Sequence, residues 1–166
     1  MKKQYVKLCV ILLAVMYTSA PTQGSNHLRT FTATLSGAGE VPPVATGAFG
    51  HFELTIDLNT GQADYTMRVW NVTPVTASHI HVGGPNVAGP VIIPFREIVA
   101  GFSGDGVFRG RIDINKDLAV MPNRGLNSGA DLDQIFRINN ADNLYVNLHT
   151  TVNPGGEIRG SLKLVP

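Results

Sequence analysis

The sequence predicts an all-β domain, and three observations carry that prediction. Apolar and polar residues alternate with period two in most segments after Arg29, as they do in strands with one buried face. The chain contains 18 glycines and 10 prolines, and clusters of them separate these segments. A helical pattern is visible only at Ala130–Ile138. About eight short antiparallel strands at this spacing indicate a β-sandwich or a small barrel.

Eight segments have the strand pattern, and two pairs of them are predicted hairpins. Leu58–Gln62 contains Asn59 and Gly61, which favour a tight turn between the second and third segments. Asn153–Gly156 joins the last two segments in the same way. The eight segments are Phe31–Leu35, Phe49–Asp57, Ala63–Trp70, Ala77–Val82, Val91–Phe95, Gly106–Ile114, Asn143–Thr150 and Glu157–Val165.

The N-terminal segment has the layout of a secretory signal peptide. A lysine-rich head precedes the apolar run Leu8–Met16, and small and polar residues follow. The alternative is an anchoring helix, but that needs roughly 20 apolar residues and this run has nine. We expect cleavage between Ala20 and Ser25. Residues 1–24 are then a signal peptide, and residues 30–165 form one secreted or periplasmic domain with no membrane anchor.

Cleavage changes both the charge and the thiol content. Loss of Lys2, Lys3 and Lys7 leaves ten basic against twelve acidic residues. This balance argues against nucleic acid as a partner, because nucleic-acid binding needs clustered basic residues. The only cysteine, Cys9, leaves with the signal, so the domain forms no disulfide.

A His-x-His pair is the most informative motif. Residues two apart in a strand share a face, so His79 and His81 point to one side while Ile80 and Val82 point to the core. We expect the imidazoles on the wetter face, where they are able to converge on one metal ion. The alternative is that they are simply solvated, as we expect for His51.

The last two strands show the same alternation, with polar residues on one face and apolar residues on the other. Asn147 and His149 share the polar face of their strand, and Glu157 and Arg159 share that of the next. Cross-strand partners point to the same side. We therefore expect His149 beside Arg159, or beside Glu157 if the register is shifted by two. His149 becomes the third candidate ligand, with Asn147, Glu157 and Arg159 as candidates to orient the ligands by hydrogen bonds.

Five sequence blocks, in order, resemble the CHRD domain, named after chordin and found in many exported bacterial proteins. The resemblance covers about Thr30–Leu164, nearly the whole mature chain. The blocks are Leu35–Pro43, His79–Gly83, Gly89–Val91, Tyr145–Thr150 and Asn153–Gly160.

The resemblance implies an immunoglobulin-like, Greek-key β-sandwich or barrel similar to that of copper/zinc superoxide dismutases. Dismutase copper is held by a His-x-His pair and further histidines, one of which bridges to zinc. His79 and His81 match the pair, and His149 matches a ligand on a late strand. Residues 82–96 contain no histidine, so no bridging ligand is present. The comparison thus implies at most one copper or zinc ion.

Two classes of function follow from the sequence. We expect a non-catalytic extracytoplasmic module that binds a protein or a small ligand, because no complete catalytic motif is present. In chordin, CHRD domains belong to an extracellular antagonist of growth factors, which is also a binding role. The alternative is a mononuclear copper- or zinc-binding protein that uses the three histidines. Enzymatic activity is the less favoured outcome.

The export hypothesis predicts the mature N-terminus. Mass spectrometry of the native protein should place it between residues 20 and 27, because the cleavable region follows the apolar run. An intact Met1 on secreted protein would contradict the signal-peptide assignment.

Overall fold

The computed structural model describes residues 27–117 and 143–166. Nine strands make up most of these residues, together with a 3-10 turn at Gly37–Gly39 and a one-turn helix α1 at Ile114–Asp117. No helix within these two ranges has the length and hydropathy to cross a membrane. The strands are β1 (Leu28–Ser36), β2 (Phe49–Asp57), β3 (Gln62–Val72), β4 (Val75–Val82), β5 (Val91–Pro94), β6 (Gly104–Asp113), β7 (Leu144–Thr150), β8 (Ile158–Ser161) and β9 (Lys163–Leu164).

One antiparallel sheet runs in the order β5-β4-β7-β8-β1-β2-β3-β6, and β9 pairs with β1 beside β8. The sheet curls so that its two halves face each other across the core. Phe95, which follows β5, packs its ring 5.3 Å from Phe52 of β2 and 4.5 Å from Tyr65 of β3. Tyr65 also donates a hydrogen bond to Glu97. The predicted all-β architecture is confirmed.

Both predicted hairpins are present. β2 and β3 pair from Phe49↔Trp70 to Asp57↔Gln62, and Gly61 in the turn has a positive φ of 71°. β7 and β8 pair from Tyr145↔Ser161 to Leu148↔Ile158. The last predicted strand differs in being split at Leu162, so that β9 leaves β8 and pairs with β1. The helical turn expected at 130–138 and the signal segment lie outside the described residues.

Alternation of side chains explains the core. Along β2, Phe52, Leu54 and Ile56 are fully buried, while the residues between them are at least partly exposed. The strands that carry the candidate ligands follow the same rule. Their aliphatic residues that face the core, all fully buried, are Ile80 of β4, Val146 and Leu148 of β7, and Ile158 of β8.

Phe52 links the two halves of the sheet, which makes it a sensitive test of this packing. Replacing Phe52 with Ala should lower the free energy of unfolding by about 3–5 kcal/mol, because it removes a fully buried ring and leaves a cavity. Phe49, which is 50% exposed on the outer side of the same strand, is the matched control. Its Ala variant should lose at most about 1.5 kcal/mol, the scale of its stacking on Trp70. Urea unfolding of both variants measures the difference, and equal losses would contradict the assignment of the core.

Candidate metal centre

The strand register brings the three histidines together. β4 pairs with β7 so that Ala77 lies opposite His149, His79 opposite Asn147, and His81 opposite Tyr145. Residues directly opposite share a face. His149 therefore lies one diagonal step from His79, on the side of the sheet away from Ile80 and Val146.

The imidazole rings are close enough to share one ligand. Ring centroids are 5.0 Å apart for His79 and His149, 5.5 Å for His79 and His81, and 6.2 Å for His81 and His149. His79 Nδ1 and His149 Nε2 are 3.1 Å apart. One ring nitrogen from each histidine can be chosen so that all three lie within 4.8 Å of one another.

Backbone carbonyls determine which nitrogens carry a lone pair. His81 Nδ1 is 3.0 Å from the Gly89 carbonyl oxygen, and His149 Nδ1 is 2.9 Å from the Pro154 carbonyl oxygen. A carbonyl only accepts, so both Nδ1 atoms donate a proton and the Nε2 atoms of the neutral rings keep their lone pairs. His149 Nε2 then accepts from His79 Nδ1. His81 Nε2 is buried and has no hydrogen-bond partner among the described residues.

The surroundings keep the histidines neutral. Burial, with smaller contributions from His149 and His81, lowers the pKa of His79 from 6.5 to about 4. Burial also lowers the pKa of His81, which the hydrogen bond to Gly89 partly opposes. The pKa of His149 is lowered by burial as well. Neutral imidazole is the form that binds metals, so the cluster is ready for a cation at neutral pH.

The expectation of a wet outer face was wrong for most of this surface. His81 is 6% exposed, and Asn147 and Arg159 are each 2% exposed. The reason is the segment between β4 and β5, residues 83–90, which folds back over β4, β7 and β8. Gly89 in this segment lies so close to the Val82 carbonyl that a Cβ atom would not fit.

Arg159 and Tyr145 hold that segment in place. The Arg159 guanidinium lies 3.3 Å from the Tyr145 ring centroid and donates to the carbonyls of Gly84 and Val87. Tyr145 stacks its other side against His81, with ring centroids 4.6 Å apart. Because Arg159 is buried and occupied, it does not present a free charge to an incoming anion.

The β7–β8 register gives the candidate orienting residues different neighbours from those expected for an unshifted pairing. The register places Asn147, and not His149, opposite Arg159, so the pairing is the shifted one, in which Glu157 aligns with His149. Glu157 does not hydrogen-bond His149, because its carboxylate accepts from the hydroxyls of Thr46 and Thr73. The Pro154 carbonyl orients His149 instead, which no side-chain pattern could have indicated.

Glu40 is a nearby residue that sequence reasoning missed. Its side chain is buried, and its Oε1 has no hydrogen-bond partner among the described residues. Burial raises the pKa of Glu40 from 4.5 to about 7, although the Arg159 charge and a backbone hydrogen bond to Val41 oppose the shift. An isolated glutamate in a Gly- and Pro-rich loop carries no sequence signal for such burial.

Glu40 predicts a pH dependence of stability. The folded state binds more protons than the unfolded state between pH 4.5 and about 7, so this group costs stability as the pH rises through that window. Between pH 4.5 and 8, the free energy of unfolding of Glu40→Gln should rise by up to about 3 kcal/mol relative to that of wild type, since each unit of pKa shift corresponds to about 1.4 kcal/mol.

Urea unfolding of metal-free protein at both pH values measures this gain. The histidines have lowered pKa values and act in the opposite direction below pH 6.5, but they are common to both proteins and cancel in the difference. Glu53→Gln, at an exposed position of β2, is the control and should show no gain. If the unfolding free energies of Glu40→Gln and wild type differ by the same amount at both pH values, the pKa of Glu40 is not raised.

The comparison with known families identifies the family of the domain. The model of the CHRD domain matches residues 31–162, which include β2 to β8, most of β1, all three histidines and Arg159. Neither the curated proteins nor the solved structures contain a significant match to the chain. Since the family model spans well over half of the sequence, the chain belongs to the CHRD domain family.

Proposed function

We propose that this protein is an exported CHRD-domain protein that binds one copper or zinc ion through His79, His81 and His149. The observation that carries the proposal is the convergence of three neutral imidazoles whose ring nitrogens lie within 4.8 Å of one another. Imidazole is a preferred ligand of both metals. His81 and His149 would ligate through Nε2, and His79 would ligate through Nδ1 after its ring proton moves from Nδ1 to Nε2.

The spacing supports binding with only a small adjustment. Two nitrogens on one ion, with bonds of about 2.0–2.1 Å and angles near 90–109°, are about 2.8–3.4 Å apart. The 3.1 Å between His79 and His149 lies in that range. The largest separation, 4.8 Å, exceeds the upper end of that range, so the two nitrogens concerned must approach each other by about 1.4 Å for tetrahedral binding.

Burial of an unpartnered nitrogen also favours a cation. His81 Nε2 has no hydrogen-bond donor among the described residues to satisfy its lone pair, and a buried unsatisfied polar atom costs about 1–3 kcal/mol. A metal ion removes that cost. The backbone carbonyls of Gly89 and Pro154 hold the other nitrogen of their rings, which is the arrangement typical of metal-ligating histidines.

The proposal is a binding function and does not require catalysis. A binuclear dismutase centre is not part of it, because residues 82–96 provide no bridging histidine. Location outside the cytoplasm belongs to the same proposal and rests on the signal-peptide pattern and on the family.

Metal titration tests the proposal. Chelator-stripped protein without a polyhistidine tag should bind one equivalent of Zn(II) or Cu(II) in calorimetry, and His79→Ala combined with His81→Ala should abolish that binding. At a free metal concentration 100 times Kd, binding should stabilise the fold by about 2.7 kcal/mol. His51→Ala, on the outer side of β2, is the control and should bind like wild type. Unchanged affinity in the double variant would exclude the three-histidine site.

A further inference from the structure

A second buried atom near the histidines, an oxygen, also lacks a hydrogen-bond partner, as His81 Nε2 does. Asn147 is 2% exposed, and its Oδ1 has no hydrogen-bond partner among the described residues. It lies directly opposite His79 in the β4–β7 register, between Tyr145 and His149 on the same face of β7. Two of the four buried side-chain atoms without a partner in the described part of the chain therefore belong to this one cluster.

The two atoms are both acceptors, so they cannot satisfy each other. His81 Nδ1 carries the ring proton for Gly89, which leaves Nε2 with a lone pair. A carboxamide Oδ1 also offers only lone pairs. His81 is the diagonal cross-strand neighbour of Asn147 in the β4–β7 register, so the two side chains lie on the same face. A cation bound between them would satisfy both atoms.

We propose that Asn147 Oδ1 is the fourth ligand of the metal and that it makes the site selective for divalent ions. This inference rests on the proposed three-histidine function. A carbonyl oxygen is a hard ligand, which suits Zn(II) and Cu(II) better than the softer Cu(I). Three nitrogens and one oxygen complete a four-coordinate site with no open position, the arrangement of sites that hold a metal and not of those that activate water.

Two substitutions of Asn147 distinguish the effect of its side-chain oxygen from the effect of its side-chain volume. Asn147→Leu keeps the approximate volume but has no ligand atom, whereas Asn147→Asp keeps the oxygen and adds a charge. We expect Zn(II) affinity to fall about 10–100-fold in the Leu variant, the range found when a group that supports a metal site is removed. The Asp variant should bind Zn(II) at least as tightly as wild type. Calorimetry on stripped protein gives both values.

Selectivity is measured with Cu(I). Competition with a chromophoric Cu(I) chelator in the presence of a reductant is feasible because the mature domain has no thiol. The ratio of Zn(II) to Cu(I) affinity should fall in Asn147→Leu and rise in Asn147→Asp. Asn59→Leu, at an exposed position in the turn between β2 and β3, is the control and should leave both affinities unchanged.

The outcomes distinguish this inference from the function on which it rests. Wild-type affinity for Zn(II) in Asn147→Leu would overturn the fourth ligand and leave the three-histidine site standing. Equal losses for Zn(II) and Cu(I) would overturn the selectivity. Absence of any metal binding by wild type would remove the proposed function itself. If Asn147→Leu does not fold, Asn147→Asp decides, since an unchanged affinity ratio overturns the inference.

Discussion

The register between β4 and β7 is the constraint on which the rest of the centre depends. Ile80 pairs with Val146, and both are fully buried. With a side-chain period of two, that pairing sends His79 and Asn147 to the opposite face. A slip of one residue would turn the polar row towards the hydrophobic core and the aliphatic row towards the segment 83–90. The hydrophobic core therefore determines where the imidazoles lie, even though none of its side chains is a candidate ligand.

Covering the polar face changes its chemistry. The segment 83–90 removes water from His81 and lowers its pKa, and this burial requires a buried cation, Arg159, to hold the segment. Arg159 is stabilised by the Tyr145 ring and by two carbonyl oxygens. Desolvating a guanidinium is costly unless its hydrogen bonds are satisfied, and here two of them are made to backbone. Glu40 lies within the field of the same charge.

A buried carboxylate stabilises the other side of the centre. Glu157 accepts hydrogen bonds from Thr46, before β2, and from Thr73, in the turn between β3 and β4. It follows directly after the turn that contains Pro154, whose carbonyl orients His149. Three connections that are distant in sequence thus meet beside His149. Hydrogen bonds to the charged form lower the pKa of Glu157 despite its burial, so it remains ionised at neutral pH.

The sequence by itself determined the strands, the two hairpins and the phase of each histidine, because alternation is local and reports which side chains share a face. It did not determine that β4 and β7 are neighbours. About sixty residues separate the two strands, and the alternation within a strand does not indicate which other strand pairs with it. Nor did it reveal that the polar face is covered. That burial arises from contacts between Arg159 and backbone carbonyls some seventy residues away, and backbone atoms leave no trace in the pattern of residue types. Tertiary structure therefore decided that these histidines are neutral and held in place.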